Sequence, residues 1–190
     1  MMSADPTSVP VPRGLLRFGG DGVAQRRLYC LPFAGGGPSA YRLWPRSLPA
    51  DHEVVAVQLP GRDPSKRERP ADSIEEIVGA VSTAVSELQT ADPMPFALFG
   101  HSMGALVAYE VALVLEAADA GPDTLFVSGR RPPDEVHRGE HSHLLPDDEF
   151  LVHMHATYRG IPDAVRAEPE LLALFLPSLR ADIKLSLIHI

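Results

Sequence analysis

A chain of 190 residues with 45% hydrophobic and 22% charged residues has the make-up of one ordinary globular domain, which argues against a disordered or fibrous polypeptide. Its 17 basic and 25 acidic residues leave a formal charge of −8, disfavouring generic attraction to nucleic acid or anionic membrane and pointing to a small or protein-borne substrate. The single cysteine, Cys30, rules out an internal disulfide, and its place in the apolar run from Leu28 to Phe33 marks it as a buried structural thiol.

Residues 1–26 carry Pro6, Pro10, Pro12 and several glycines but no apolar stretch near the length of a signal h-region or a membrane span. They are expected to form a flexible arm on a cytoplasmic protein. From Arg27 onward, strand-like and helix-like segments alternate, the mark of a mainly parallel sheet flanked by helices. Leu28 to Leu31 and Val54 to Leu59 are short apolar runs bounded by Pro and Gly, each read as a buried strand. Between Ser73 and Gln89, the residues Ile74, Ile77, Val78, Val81, Val85 and Leu88 form a stripe at helical spacing, and Ser73 with Glu76 spells a capping box at its start. Phe96 to Phe99 reads as a third strand, Gly100 to Gly104 as a turn, Ala105 to Ala118 as a helix closed by Gly121, and Thr124 to Ser128 as a fourth strand. After Arg130 the strand pattern stops. Asp147 to Tyr158 and Glu170 to Leu179 read as helices of an insertion over the sheet edge. Right-handed crossovers place the strand-to-helix turns on one edge, so ligand chemistry is expected at 32–39 and 100–104.

Gly100-His101-Ser102-Met103-Gly104 matches G-x-S-x-G between a strand and a helix, the setting in which that pattern holds a nucleophilic serine on a sharp turn. A β-carbon two residues to either side would collide with neighbouring chain, hence Gly100 and Gly104. A serine hydroxyl needs a base to take its proton, and the oxyanion it creates needs preset donors. One expected donor is the backbone N–H of Met103, at the positive end of the following helix. The other is expected from the turn Pro32-Phe33-Ala34-Gly35-Gly36-Gly37, with Ala34 favoured. That turn lacks the P-loop lysine and the dinucleotide G-x-G-x-x-G spacing, which argues against nucleotide binding. His101 is not the base, because adjacent side chains on a strained elbow point apart; it is expected to pack and form a local hydrogen bond.

From about Tyr29 to Leu185 the chain resembles the stand-alone type II thioesterases that accompany polyketide and non-ribosomal peptide synthases. The blocks that carry the likeness are Leu31 to Gly37, Tyr41 to Pro45, Val57 to Arg62, Phe96 to Gly104, Val127 to Arg130 and Leu176 to Asp182. The resemblance implies an α/β-hydrolase core over 27–129 with a doubly wound sheet, and a helical lid over 130–185. It implies hydrolysis of acyl groups from the phosphopantetheine arm of an acyl or peptidyl carrier protein through an acyl-serine, in a monomer without metal or bound cofactor. In such folds the acid and the histidine follow the serine in chain order. The resembling proteins carry the acid after a further strand and the histidine in a Gly-Gly-His segment, and neither segment occurs here. Asp182 belongs to the Leu-Arg-Ala-Asp block of the lid and is not given the acid's role. The ending Leu185 to Ile190 departs from the family pattern and is similar to a translated sequencing adapter, so 186–190 are expected to be a non-native tail and the fold to lack its last strands and helices.

Other readings are an esterase or an acyltransferase of the same fold, or a non-catalytic carrier-binding fragment. His137, His141, His143, His153 and His155 cluster in sequence without a zinc-ligand motif and are expected to be lid histidines. Two basic runs, Arg62 to Arg69 and Arg130 to Arg138, are expected to be solvated loops unless one of them meets an acidic carrier.

Overall fold

A computed structural model describes residues 9–19, 24–62, 69–132, 141–158 and 168–188. Its centre is a five-stranded sheet in the order β1-β3-β2-β4-β5, with β1 Leu15–Phe18, β2 Arg26–Leu31, β3 His52–Val57, β4 Phe96–His101 and β5 Thr124–Ser128. All neighbours pair in parallel except β1, which runs antiparallel to β3 with Leu15 opposite Val57. The mainly parallel α/β sheet expected from the alternation is therefore present. Leu15–Phe18 lies within the stretch expected to be a flexible arm and is instead an edge strand. Its alternation is too short to register as a period, and it is held by pairing with β3 and by burial of Leu15.

Handedness explains where the layers lie. The connection from β2 to β3 travels one way across the sheet, and those from β3 to β4 and β4 to β5 travel the other way. Right-handed crossovers then fall on opposite faces. Helices α1 (Ile74–Ala91) and α2 (Met103–Glu116) share one face, where their apolar stripes close over Tyr29, Leu31, Val55, Val57 and Leu98. Two short 3₁₀ turns, Pro38–Tyr41 and Trp44–Ser47, cover the other face, with Tyr41 and Trp44 packed against a cluster of Cys30, Val54, Ala56 and Phe99. The strand order reverses between β2 and β4. The crevice beyond their carboxyl ends is the place where such sheets bind ligands.

The start of α1 is capped as expected on one side only. Ser73 Oγ accepts the Glu76 N–H at 3.1 Å, but Glu76 Oε2 accepts from the Asp72 N–H at 3.1 Å, one residue upstream of the reciprocal partner a capping box uses. Arg69, which pairs with Asp72 and Glu76, draws that carboxylate outward.

At the amino ends of the strands, Arg27 is fully buried and neutralised by a network absent from any local pattern. Its guanidinium meets Glu53, Gln89 Oε1 at 2.7 Å, Asp92 O at 2.9 Å and Asp92 Oδ2 at 2.7 Å. Arg17 of β1 adds a 2.9 Å pair to Glu53 and a 3.2 Å bond to Asp92. This polar base ties β1, β2, β3 and the end of α1 at the pole opposite the crevice.

Beyond β5 the chain forms α3 (Asp147–Tyr158) and α4 (Pro169–Ile188). The second helix is far longer than the 170–179 segment expected, and it carries Pro177 in its interior. Phe150 and Met154 of α3 join Leu176, Leu179 and Ile183 of α4 in a second apolar cluster, while Leu185 reaches the main core. Arg180 fastens the two helices: it donates to His143 O at 2.6 Å, Leu145 O at 2.7 Å and Asp147 Oδ1 at 2.6 Å, and its guanidinium carbon lies 4.3 Å from the centre of the Phe150 ring. The helix runs through residue 186, whose hydroxyl and carbonyl accept from Arg130 at 2.9 and 3.1 Å. Among the described residues, no helix is long and apolar enough to cross a membrane.

Candidate active site

Ser102 follows β4 and precedes the first turn of α2. Its backbone has φ 55° and ψ −114°, a conformation that non-glycine residues rarely adopt. The strain is held by neighbours on both sides. The Ser102 N–H donates to Ser128 O at 2.8 Å, and Ser102 O accepts from Ala105 N at 3.1 Å. The flanking glycines are required by contact: a β-carbon on Gly100 would strike the backbone of Gly104 and Ala105, and one on Gly104 would strike the carbonyls of Leu31 and Pro32. The second collision also shows how tightly the start of α2 is pressed against the end of β2.

Ser102 is half-buried, and its hydroxyl forms no capping bond to the helix it precedes. A serine at an N-cap ordinarily spends its oxygen on the N2 or N3 amide. Here the φ/ψ values differ from those of a cap, and the oxygen is turned from that duty. Met103, the first helical residue, is buried, with its N–H in the first turn of a 14-residue helix where amides lack intrahelical partners.

The turn after β2 stands beside this elbow. Gly36 N donates to Phe33 O at 2.8 Å and Gly35 has φ +72°, so Phe33 to Gly36 form a type II turn with Gly35 at the position that demands positive φ. Ala34 is partly buried and packs against both apolar clusters. His101 is exposed at the rim, with Nδ1 3.1 Å from Ser128 Oγ and its ring edge-on to Phe33 at 6.0 Å. The structure thus brings Gly100, His101, Ser102, Met103 and Gly104 together with Ala34 at the crevice between β2 and β4.

Sequence reasoning missed the partner of that turn. Asp182 of α4 is fully buried; its Oδ2 accepts the Gly35 N–H at 2.8 Å and its Oδ1 accepts from Arg62 Nε at 2.7 Å and also from Arg62 Nη2. Burial pushes the carboxyl up from its ordinary range, while Arg62 and the Gly35 amide act in the opposite sense. Arg62 also donates to Pro60 O at 3.1 Å, and its side chain is only 3% exposed, so this member of the first basic run is no solvated residue. Lys66, Arg67 and Arg138 lie outside the described residues. The only hint in the sequence was that Arg62 and Asp182 both fall in blocks shared with the resembling family.

The described histidines form no metal cage. His141 and His143 stack edge-on at 5.8 Å, His137 lies outside the described residues, and among those described no three His, Cys, Asp or Glu side chains come together as a metal site would require.

A thioesterase-domain family profile matches residues 26–186, most of the chain, from β2 into α4. The chain belongs to the thioesterase family. Among curated relatives, this thioesterase-family chain is 39% identical over 161 residues to the gramicidin S biosynthesis protein GrsT of Aneurinibacillus migulanus, covering 84% of this chain and 61% of that protein. It is 37% identical over 159 residues to the thioesterase PikA5 of Streptomyces venezuelae, covering 83% and 55%. Among solved structures, it superposes with a TM-score of 0.80 on the RedJ thioesterase of the prodiginine pathway of Streptomyces coelicolor, at 38% identity and with 98% and 70% of the two chains covered. YbtT, the type II thioesterase of the yersiniabactin pathway, matches with a TM-score of 0.75 at 32% identity, covering 93% and 70%. The chain spans 61% and 55% of the length of these two curated relatives.

Proposed function

We propose that Ser102 is the nucleophile of an acyl-thioester hydrolysis whose substrate is carried on the phosphopantetheine arm of an acyl or peptidyl carrier protein. The observation that carries this reading is the backbone of Ser102, held at φ 55° with its hydroxyl released from capping α2. In the reaction, Oγ attacks the thioester carbon, and the oxyanion is received by the N–H groups of Met103 and Ala34. The C–S bond then breaks, the pantetheine thiol leaves with a proton, and water hydrolyses the resulting serine ester. Helices α3 and α4, which pack on Ala34, serve as the lid over the acyl chain.

The reading also assigns the acid and the histidine of the triad to sequence outside these 190 residues, as the resemblance implies. The chain as it stands then keeps the nucleophile and the oxyanion donors and reacts slowly, since a serine hydrolase stripped of its triad retains only about 10³ to 10⁴ over water.

The test is peptide mass mapping after incubation with excess acyl-phosphopantetheinyl carrier protein and, in parallel, with an alkyl fluorophosphonate. A slow adduct confined to Ser102 and absent from Ser102→Ala is the expected result. Adducts at another residue, or none with either reagent, would refute the nucleophile. A parallel incubation with a simple oxygen ester separates thioesterase from esterase or acyltransferase, and carrier binding with no adduct would mark a docking fragment.

A further inference from the structure

We infer that Asp182 is a positioning residue for the oxyanion turn: its carboxylate, presented by α4, tethers the Gly35 N–H and so holds the turn that carries Ala34 in one form and in one place against the helix. The inference rests on the oxyanion role proposed for Ala34. Type I and type II turns differ by a flip of the central peptide through about 180°. In the turn from Phe33 to Gly36 that central peptide joins Ala34 to Gly35, and its N–H is the group Asp182 accepts at 2.8 Å. A flip would replace this N–H with the Ala34 carbonyl oxygen, facing a buried carboxylate. Asp182 therefore selects one turn form by attraction and opposes the other by repulsion, in surroundings where water cannot screen either.

Three further observations agree. Arg62 grips Asp182 Oδ1 with two nitrogens and is itself tied to Pro60 O at 3.1 Å, so the carboxylate does not swing. Phe175 and Leu179, four residues apart on the same face of α4 as Asp182, close over Gly35 so tightly that a β-carbon there would lie 2.6 Å from Phe175 Cζ and 3.0 Å from Leu179 Cδ1. The Gly36 to Phe33 bond closes the turn, so a tether at Gly35 holds Ala34 in place along with it. One helix face thus roofs the turn with two apolar side chains and steers its peptide with a third, charged one. Both oxygens of Asp182 are engaged in this task, which separates it from the role of a triad acid.

The first measurement needs no variant. In isotopically labelled chain, a through-hydrogen-bond scalar coupling between Gly35 ¹⁵N and Asp182 ¹³Cγ is expected, and its absence overturns the assignment. In Asp182→Asn, which keeps the side-chain shape, amide exchange at Gly35 and Gly36 is expected to rise by about tenfold or more, as for loss of a charge-assisted hydrogen bond. Residual hydrolysis of an activated ester is expected to lose about tenfold or more in kcat, with KM within about twofold, as when an oxyanion donor is misplaced. Protection lost at Gly35 alone, with Gly36 still protected and kcat unchanged, would show Asp182 to be merely structural and sink the proposal. If Asp182→Asn does not fold, Arg62→Lys, which loosens the carboxylate without removing it, must reproduce the kcat loss in smaller measure, and an unchanged kcat refutes the idea. Should even the wild-type chain hydrolyse nothing, the acyl-transfer reading fails, while the coupling and the Gly36 exchange still decide whether Asp182 holds the turn.

Discussion

Replacing glycine by alanine at three positions of this chain should give opposite signs of stability change, and the contrast tests the crowding that creates the elbow. At Gly104 the added carbon meets Leu31 O and Pro32 O, and at Gly100 it meets the backbone of Gly104 and Ala105. None of these atoms can rotate away. Relief requires α2 to retreat from β2 and β4, against the packing of Met103, Leu106 and Val107 in the main core. Overpacking a core commonly costs about 1–3 kcal/mol, and a clash with fixed backbone belongs at or above the upper end, so about 3 kcal/mol is expected for each. For a chain of this size that lowers the melting temperature by about 6 to 12 °C. Gly79 is exposed in the middle of α1, with nothing within 4 Å of its would-be β-carbon. Alanine there should stabilise by about 0.8 to 1 kcal/mol through helix propensity alone, raising the melting temperature by about 2 to 4 °C. Thermal unfolding followed by circular dichroism, with urea titration to supply free energies, measures all three. A Gly104→Ala chain within about 1 kcal/mol of wild type would refute the claim that the elbow is sterically locked, since overpacking against backbone cannot be that cheap.

Removing the charge of Glu53 by Glu53→Gln should cost about 3 kcal/mol in urea unfolding, the lower end for breaking a buried ion pair, because Asp92 still faces Arg27; a loss under about 1 kcal/mol would show the network to be idle. Burial pushes the Cys30 thiol up to about 12, so Cys30 should resist a thiol-specific disulfide reagent in the folded chain and react fully in urea; titration of the native chain with that reagent decides it. Burial, together with the charges of His141, Lys184 and Arg180, holds His143 below its ordinary value of 6.5. The unfolded chain then binds the proton more readily, so stability should be full above about pH 6.5 and decline as pH falls through the folded value. His143→Gln should flatten that acid limb of the melting-temperature profile, and an unaltered limb would acquit this residue.

What the sequence made legible was local. The stripe of Ile74, Ile77, Val78, Val81, Val85 and Leu88 marked α1 because a helix repeats every 3.6 residues. Gly100 and Gly104 marked the elbow because only glycine tolerates the backbone contacts found there. What escaped was long-range. Arg17, Arg27, Glu53 and Asp92 come from four elements and share no spacing, so their network at the foot of the sheet carries no signature in one dimension. Strand β1 is four residues long and owes its form to the neighbouring β3, and α4 runs past Pro177 because a row of buried side chains holds both sides of that break. Arg62 looked like one of several loop cations until Asp182, 120 residues later, was placed against it.

The same distinction bears on how the site is built. On the proposed reading the nucleophile and its first donor are encoded together, because Ser102 and Met103 are adjacent and a strand, a turn and a helix suffice to present them. The proposed second donor cannot be, because Ala34 sits on a separate turn, and nothing within Pro32 to Gly37 fixes that turn's place or, beyond the glycine at the positive-φ position, its form. Gly35 permits the type II form; Asp182 favours it. That preference reaches the turn only when α4 docks with Phe175 and Leu179 over Gly35, so one carboxylate couples the helix to the turn that carries the proposed oxyanion donor. A chain in which α4 swings away should accordingly keep its strained serine, which β5 and α2 hold, and lose the tether on the turn that carries Ala34.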